Sequence, residues 1–186
     1  MAELAFLIRT VADLIVGAFL LRWLFAIQRT DSRNPLVQSL HRLTNPLILP
    51  MRRVIPAIGR TDTATIVALV VVALVRAAAL GALYGLGLPS PIILVLGALL
   101  ALARMLLWIF LGAIFLHALL SWVADPYNPF SRLLADLSDP ILRPIRRALP
   151  LFGGIDLSPL AAILLLQLAL YSLNMRLAPL FFPYDL

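Results

Sequence analysis

Four long apolar stretches leave this chain few ways to fold. They cover about residues 4–27, 64–88, 92–124 and 157–177. As helix, at about 1.5 Å per residue, each is long enough to cross a hydrocarbon core of ~30 Å. Helix is the expected form, because backbone amides and carbonyls left unsatisfied in lipid are costly. Composition points the same way: of 186 residues, 62% are hydrophobic and 13% charged, with mean hydropathy +1.01. A soluble domain carries about twice that charged fraction. A chain of this size has too little interior to hide so much apolar surface. The surplus must face lipid, which removes a water-soluble enzyme as the starting assumption. Cysteine is absent, so disulfides, thiolate metal sites and a cysteine nucleophile are excluded.

The third stretch is too long for a simple span, about 50 Å as one helix. We place its span at about residues 103–124. Residues 89–102 are then expected as a short hairpin or interfacial piece, with Gly97 as the break. The first stretch is too long for a signal-peptide apolar region and carries Arg9, Asp13 and Arg22, so it is read as a retained span.

All 15 basic residues are arginine, against 9 acidic residues. Arg29, Arg33, Arg42, Arg52, Arg53 and Arg60 lie between spans one and two, and Arg132, Arg143, Arg146 and Arg147 between spans three and four. The positive-inside rule puts both segments in the cytoplasm and both termini outside. This predicts a multi-pass membrane protein with both termini on the side away from the cytoplasm.

The two arginine-rich segments are copies of each other. Residues 34–62 read NPLVQSLHRLTNPLILPMRRVIPAIGRTD, residues 128–156 read NPFSRLLADLSDPILRPIRRALPLFGGID, and 11 of 29 aligned positions are identical. Shared are Asn34/Asn128, Pro35/Pro129, Pro46/Pro140, Pro50/Pro144, Arg52/Arg146, Arg53/Arg147, Pro56/Pro150, Gly59/Gly153 and Asp62/Asp156, and Trp23 and Trp122 precede the copies. The chain therefore reads as two tandem units, 1–90 and 91–186, each a span, a module and a span. Two spans per unit restore the starting side, so the units share one orientation, unlike the inverted repeats of many transporters.

Within each module, Asn-Pro predicts an N-cap followed by proline at the first helical position. Asn45-Pro46 and Asp139-Pro140 repeat that signal, which predicts a second helix, short or kinked at Pro50 and Pro144. Thr63 and Ser158 are the expected caps of the second and fourth spans. Leu36, Leu40, Leu43 and Leu47 share one face, as do Phe130, Leu133, Leu134, Leu137 and Ile141. An apolar stripe opposite arginine predicts a helix lying in the membrane interface. Arg52, Arg53, Arg143, Arg146 and Arg147 then face anionic headgroups, at about 1 kcal/mol each. Two readings stay open: the arginines fix topology and meet any anionic lipid, or they form a specific docking surface for a lipid or a membrane protein.

The motif NP-x10-P-x3-P-x-RR-x2-P-x2-G-x2-D, sharpest in DPILRPIRRALPLFGGIDLSPL, resembles the YggT family of bacterial inner-membrane proteins, related to the YlmG proteins of cyanobacteria and plastids. The resemblance covers essentially the whole chain in duplicated form. The first copy departs from the second, with Leu49 for Arg143, Arg60 for Gly154, and Ala64-Thr65 for Ser158-Pro159. The resemblance implies four spans, two modules and no established enzymatic activity. It also implies links to osmotic or potassium tolerance, to cell division and shape, and to cofactor assembly on a cytochrome complex in plastids.

Charges inside spans are expensive, so each needs a partner or a reason. Measured from the cytoplasmic ends of their spans, Asp13 is about 21 Å up, Arg76 about 18 Å and Asn174 about 24 Å. These depths predict an Asp13–Arg76 pair near Asn174, with Arg9, one turn from Asp13, as the competing partner. His117 and Gln167 fall at similar depths and are expected to hydrogen-bond across spans three and four. A lone imidazole is a poor metal or proton site. Arg22 and Arg104 are expected to snorkel toward opposite faces, and His41 to lie at the interface. Gly81-x3-Gly85 has the small-xxx-small spacing of close helix packing. No phosphate-binding glycine loop, dinucleotide fingerprint or zinc motif is present, so no cofactor or metal is expected. The arginine segments contain few aromatics and sit at lipid, which argues against nucleic acid. The leading expectation is a non-enzymatic scaffold or assembly factor that meets membrane lipids and a membrane protein partner. The competing one is a small channel or transporter lined by the intramembrane polar residues. Four spans leave little room for a path, so that reading requires a homo-oligomer.

Overall fold

The four apolar stretches and the two modules fold as six helices. The computed structural model describes residues 2–57, 62–83, 90–123, 128–149 and 156–176. Helices α1 (Ala2–Gln28), α3 (Thr63–Leu83), α4 (Pro91–Val123) and α6 (Ser158–Arg176) are each long and apolar enough to cross a membrane. Helices α2 (Pro35–Val54) and α5 (Pro129–Ala148) are amphipathic and pack together across one end of the bundle. The described residues contain no strand.

Local chemistry sets the helix ends. Asn34 Oδ1 accepts the Leu36 amide and Asn128 Oδ1 the Phe130 amide, both at 2.9 Å. Proline opens each following helix, where its missing N–H is no loss. Helix α1 closes with Arg29 in the left-handed region, φ 55. The Thr30 amide reaches back to the Phe25 carbonyl at 3.1 Å, the usual C-terminal bond of this turn. The expected caps Thr63 and Ser158 are corrected by one or two residues. Asp62 accepts from Thr65 Oγ1 at 2.7 Å, and Asp156 accepts the Ser158 amide at 2.9 Å. A carboxylate suits the positive end of the helix dipole better than a hydroxyl does.

Two further expectations are corrected. Helix α4 runs unbroken from Pro91 to Val123, with no hairpin before residue 103. Gly97 is buried and does not break it. One interior glycine costs only about 1 kcal/mol, whereas interrupting the hydrogen-bond ladder in an apolar setting costs more. Each module is one helix rather than two, with Pro46 and Pro50 inside α2 and Pro140 and Pro144 inside α5. Both prolines of a pair are exposed and four residues apart, so both carbonyls they leave without a helical partner lie on the outer face, open to water or headgroups. Asn45 and Asp139 are therefore mid-helix residues, not caps.

Four apolar clusters hold the bundle together. One joins α1, α2 and α3 through Val16, Phe19, Leu20, Ile48, Ala68 and Leu69. A second joins α1, α2, α4 and α5 through Leu24, Phe25, Val37, Ala113 and Leu133. A third joins α4, α5 and α6 through Ile114, Leu142, Ala162 and Leu166. Between α3 and α4, Ala73, Ala77 and Ala98 make a small-residue seam. Gly81 extends the Ala73–Ala77 spacing and is buried, while Gly85 lies outside the described residues.

Candidate functional site: an arginine-bearing layer and a charged intramembrane cavity

Arginine placement relative to carboxylates organises the α2–α5 end. Arg52 is hydrogen-bonded to Asp62, and Arg146 Nε donates to Asp156 Oδ2 at 2.9 Å. In both halves the same arginine of the Arg-Arg pair clamps the amphipathic helix to the residue that caps the next span. Burial works to raise the Asp62 carboxyl, and hydrogen bonds from Arg52 and Thr65 outweigh it, so the group stays below the usual carboxylate value. Asp156 behaves alike: burial opposes, and Ser158 and Arg146 bring it down. Arg143 Nη2 donates to Asp139 Oδ2 at 2.7 Å one turn away, and Arg146 Nη1 also lies 3.8 Å from Asp139 Oδ1. Of the five arginines expected to face lipid or a partner, Arg53 and Arg147 are exposed without an ion pair among the described residues.

The two modules touch where they begin. Asn34 Nδ2 donates to the Pro129 carbonyl at 2.8 Å, so one module's cap also holds the other's first turn. A cavity between them is lined by Arg29, Arg33, Arg132 and Asp136. Pro35 and Pro129 open their helices and Pro56 accepts from Thr63 Oγ1 at 2.6 Å, whereas Gly59, Pro150 and Gly153 lie outside the described residues.

Arg22 is the residue that sequence reasoning misplaced most. It does not snorkel: it is 3% exposed, and its Nη1 donates to Thr44 Oγ1 at 2.6 Å, Asn45 Oδ1 at 2.8 Å and the His41 carbonyl at 3.4 Å. A guanidinium presents a fork of donors that one turn of helix can absorb. Thr44 Oγ1 in turn donates to the Leu40 carbonyl at 2.8 Å. Together these side chains tie the proline-containing turn of α2 to α1. Asn45 carried the signal, a polar residue ahead of proline, but it read as a cap. Burial, followed by the charges of Arg22 and Arg52, pushes the His41 imidazole below its ordinary 6.5.

The second polar centre lies in the other half of the bundle. Arg76 Nε is 2.5 Å from Asp13 Oδ1, and Arg9 Nε is 3.8 Å from Asp13 Oδ2. Arg76 is 7% exposed and Asp13 32%. Together with Asn174, Arg104 and Trp108 they line a cavity of about 380 Å³. Among the described residues its walls carry three guanidiniums and one carboxylate, an excess of positive charge, and no nucleophile–base pair. Arg104 contributes to the α4 wall of this cavity. His117 and Gln167 do not meet: Gln167 is exposed, and neither forms the expected hydrogen bond among the described residues. Gln167 sits on a face of α6 turned away from its buried Ala162, Leu166 and Leu170. Among the described residues no three His, Asp or Glu side chains gather closely enough to hold a metal ion.

Among the described residues, six helices, four of them long and apolar enough to cross a bilayer, and a charged pair inside the bundle mark an all-helical membrane protein. The profile of the CCB3/YggT family matches residues 1–83 and 96–177, and the chain belongs to that family. It is 38% identical over 178 residues to the uncharacterized protein YggT of Escherichia coli strain K12, covering 96% of this chain and 90% of that one. An uncharacterized protein of Pseudomonas aeruginosa is 36% identical over 88% of this chain and 84% of its own. An uncharacterized protein encoded in the proC 3′ region of Vibrio alginolyticus is 33% identical over 98% and 99%. No solved structure matches.

Proposed function

We propose that this chain is a non-enzymatic scaffold or assembly and stress-tolerance factor of the bacterial inner membrane. In this reading two tandem units share one orientation, both termini are periplasmic, and α2 and α5 lie in the cytoplasmic interface. The observation that carries it is the duplicated clamp, Arg52 on Asp62 and Arg146 on Asp156. In each half one arginine is used to fix the amphipathic helix and its neighbour, Arg53 or Arg147, is left exposed. Leu43 is 76% exposed and Val54 82%, so α2 presents apolar and cationic groups together, as an interfacial helix does. The two blocks matched by the family profile support the same division. The partners are anionic lipids and a membrane protein that docks on the paired modules.

The test is photocrosslinking in native membranes from positions 53 and 147. A discrete adduct at both, lost when the other exposed arginine is replaced by glutamate, supports a shared docking surface. Adducts only to lipid, unchanged by charge reversal, overturn it. The charged cavity favours a second reading, an oligomeric channel for ions or osmolytes. Beneath that cavity, however, Val16, Phe19, Leu20 and Ile48 fill the bundle with apolar side chains. This weighs against a path through one copy. Selective K⁺ or H⁺ flux from purified protein in liposomes would reverse the preference.

A further inference from the structure

Cavity and membrane depth coincide on the α1–α4 side of the bundle. Counting from the helix ends at the α2–α5 layer, Arg76 stands about 20 Å up, Asp13 about 22 Å, and Arg9 and Arg104 about 28 Å. In a core of ~30 Å these arginines approach the phosphate level of the opposite leaflet. Trp108 lies on the same cavity wall, 61% exposed, and on the same count stands about 22 Å up, at the depth of acyl chains. Trp108 is also the rim of a second cavity of about 400 Å³, running down α4 past Ile109, Gly112 and Leu116 to Phe130 and Leu133 of α5. Its walls carry no charged side chain. A Cβ built on Gly112 meets nothing within 4 Å, so this groove is open where the helix passes.

We propose that this crevice is a binding site for one anionic phospholipid of the leaflet opposite α2 and α5. The phosphate sits among Arg9, Arg76 and Arg104, and one acyl chain descends the groove past Trp108 and Gly112. Charge selects the headgroup: among the described residues the cavity walls carry three guanidiniums and one carboxylate. Each guanidinium has five donors in a fork that matches phosphate oxygens, so an existing bond to a carboxylate does not exhaust it. A small free anion would meet the arginines but leave empty the apolar groove that continues from them. The headgroup end is polar, the tail end apolar, and the order along the membrane normal is that of a lipid. This site is separate from the α2–α5 surface and stands whether or not that surface docks a partner.

The probe is phosphatidylglycerol with brominated acyl chains, added to the purified full chain in detergent, with tryptophan quenching as readout. The expected result is saturable quenching of Trp108, removed when Trp108 is replaced by Phe. Arg9→Gln with Arg104→Gln should weaken apparent affinity roughly tenfold, the effect of losing about 1.4 kcal/mol. Gly112→Phe places a ring in open groove and should abolish tail quenching while helicity and thermal stability are kept. This variant decides the matter even where the arginine variants fail to fold. Brominated phosphatidylcholine quenching equally would overturn the proposal, because headgroup charge would then play no part. Full protection by inorganic phosphate combined with a silent Gly112→Phe would also overturn it, leaving a plain anion site. Quenching unchanged in every variant would place the lipid elsewhere on the protein.

Discussion

At the residue scale, the energetics of this protein concentrate in a few arginines taken out of water. Arg76 is almost fully buried against Asp13. Removing one partner of such a pair strands the other charge, which costs about 3 kcal/mol or more. Asp13→Asn and Arg76→Gln should each lower thermal stability in detergent, and the double variant should lose clearly less than the sum, by about 1 kcal/mol at least. Strict additivity in that cycle would mean the two charges do not support each other. Arg22 makes a different bet, on neutral acceptors rather than a carboxylate. Replacing it with leucine leaves Thr44 and Asn45 without their buried donor, and a loss of about 2 kcal/mol is expected. His41, one turn away, adds a pH dependence. Its imidazole is held below 6.5 in the fold by burial and by Arg22 and Arg52. A depressed value means the fold favours the neutral ring. The contribution is complete above about pH 6.5 and is lost as pH falls through the lower folded value. Asp62 and Asp156 have the same sign but fail only further down, below the ordinary carboxylate value of 3.8. Melts from about pH 8 to pH 5 should therefore show a decline that His41→Gln flattens. An equal decline in the variant would assign it to another group.

At the element scale, helices meet according to how small or how charged their facing residues are. Ala77 is completely buried where α3 crosses α4 beside Ala73 and Ala98. Ala77→Leu should force these helices apart and cost about 1–3 kcal/mol, read as a lower melting temperature with helicity retained. An unchanged melting temperature would show that the seam has slack. This seam also explains what the sequence could and could not disclose. The spans were legible because apolar runs of this length have one solution in lipid. The depth of Asp13 and Arg76 could be counted along regular helices, and the structure brings those two side chains together. The modules were harder. Proline usually ends a helix, so the sequence predicts two asparagine or aspartate caps in each module. In α2 this turn also has tertiary support: Arg22 reaches in from α1 to the turn that contains Pro46. No pattern local to residues 34–62 contains that information. The same holds for α4, where Gly97 reads as a break in sequence but is buried next to Ala98 of the seam with α3. Arg52 and Arg146 were recognised as a repeated pair, but their carboxylates lie ten residues on, across segments whose geometry the sequence does not specify.

At the scale of the whole molecule, the proposed tandem arrangement can be settled by counting crossings. Helices α3 and α4 stand between Arg53 and Arg147, so if both cross the bilayer the two arginines emerge on the same side. Ser90, immediately before α4, must then emerge on the other. The chain has no cysteine, so Arg53→Cys, Arg147→Cys and Ser90→Cys each give a single reactive thiol on an exposed, described position. Helix α4 is 33 residues long, about 50 Å against a core of ~30 Å. Even with tilt, its first turns project beyond the hydrocarbon and keep position 90 within reach of an aqueous reagent. A membrane-impermeant maleimide should label positions 53 and 147 in inverted vesicles and position 90 in intact spheroplasts. Labels on 53 and 147 from opposite sides would require an odd number of crossings between them. The hydrogen bond from Asn34 to the Pro129 carbonyl could not then form within one chain, and the duplicated clamp would belong to two surfaces instead of one. Agreement of the two labels, with Ser90 opposed, is what a single two-module face at one leaflet demands.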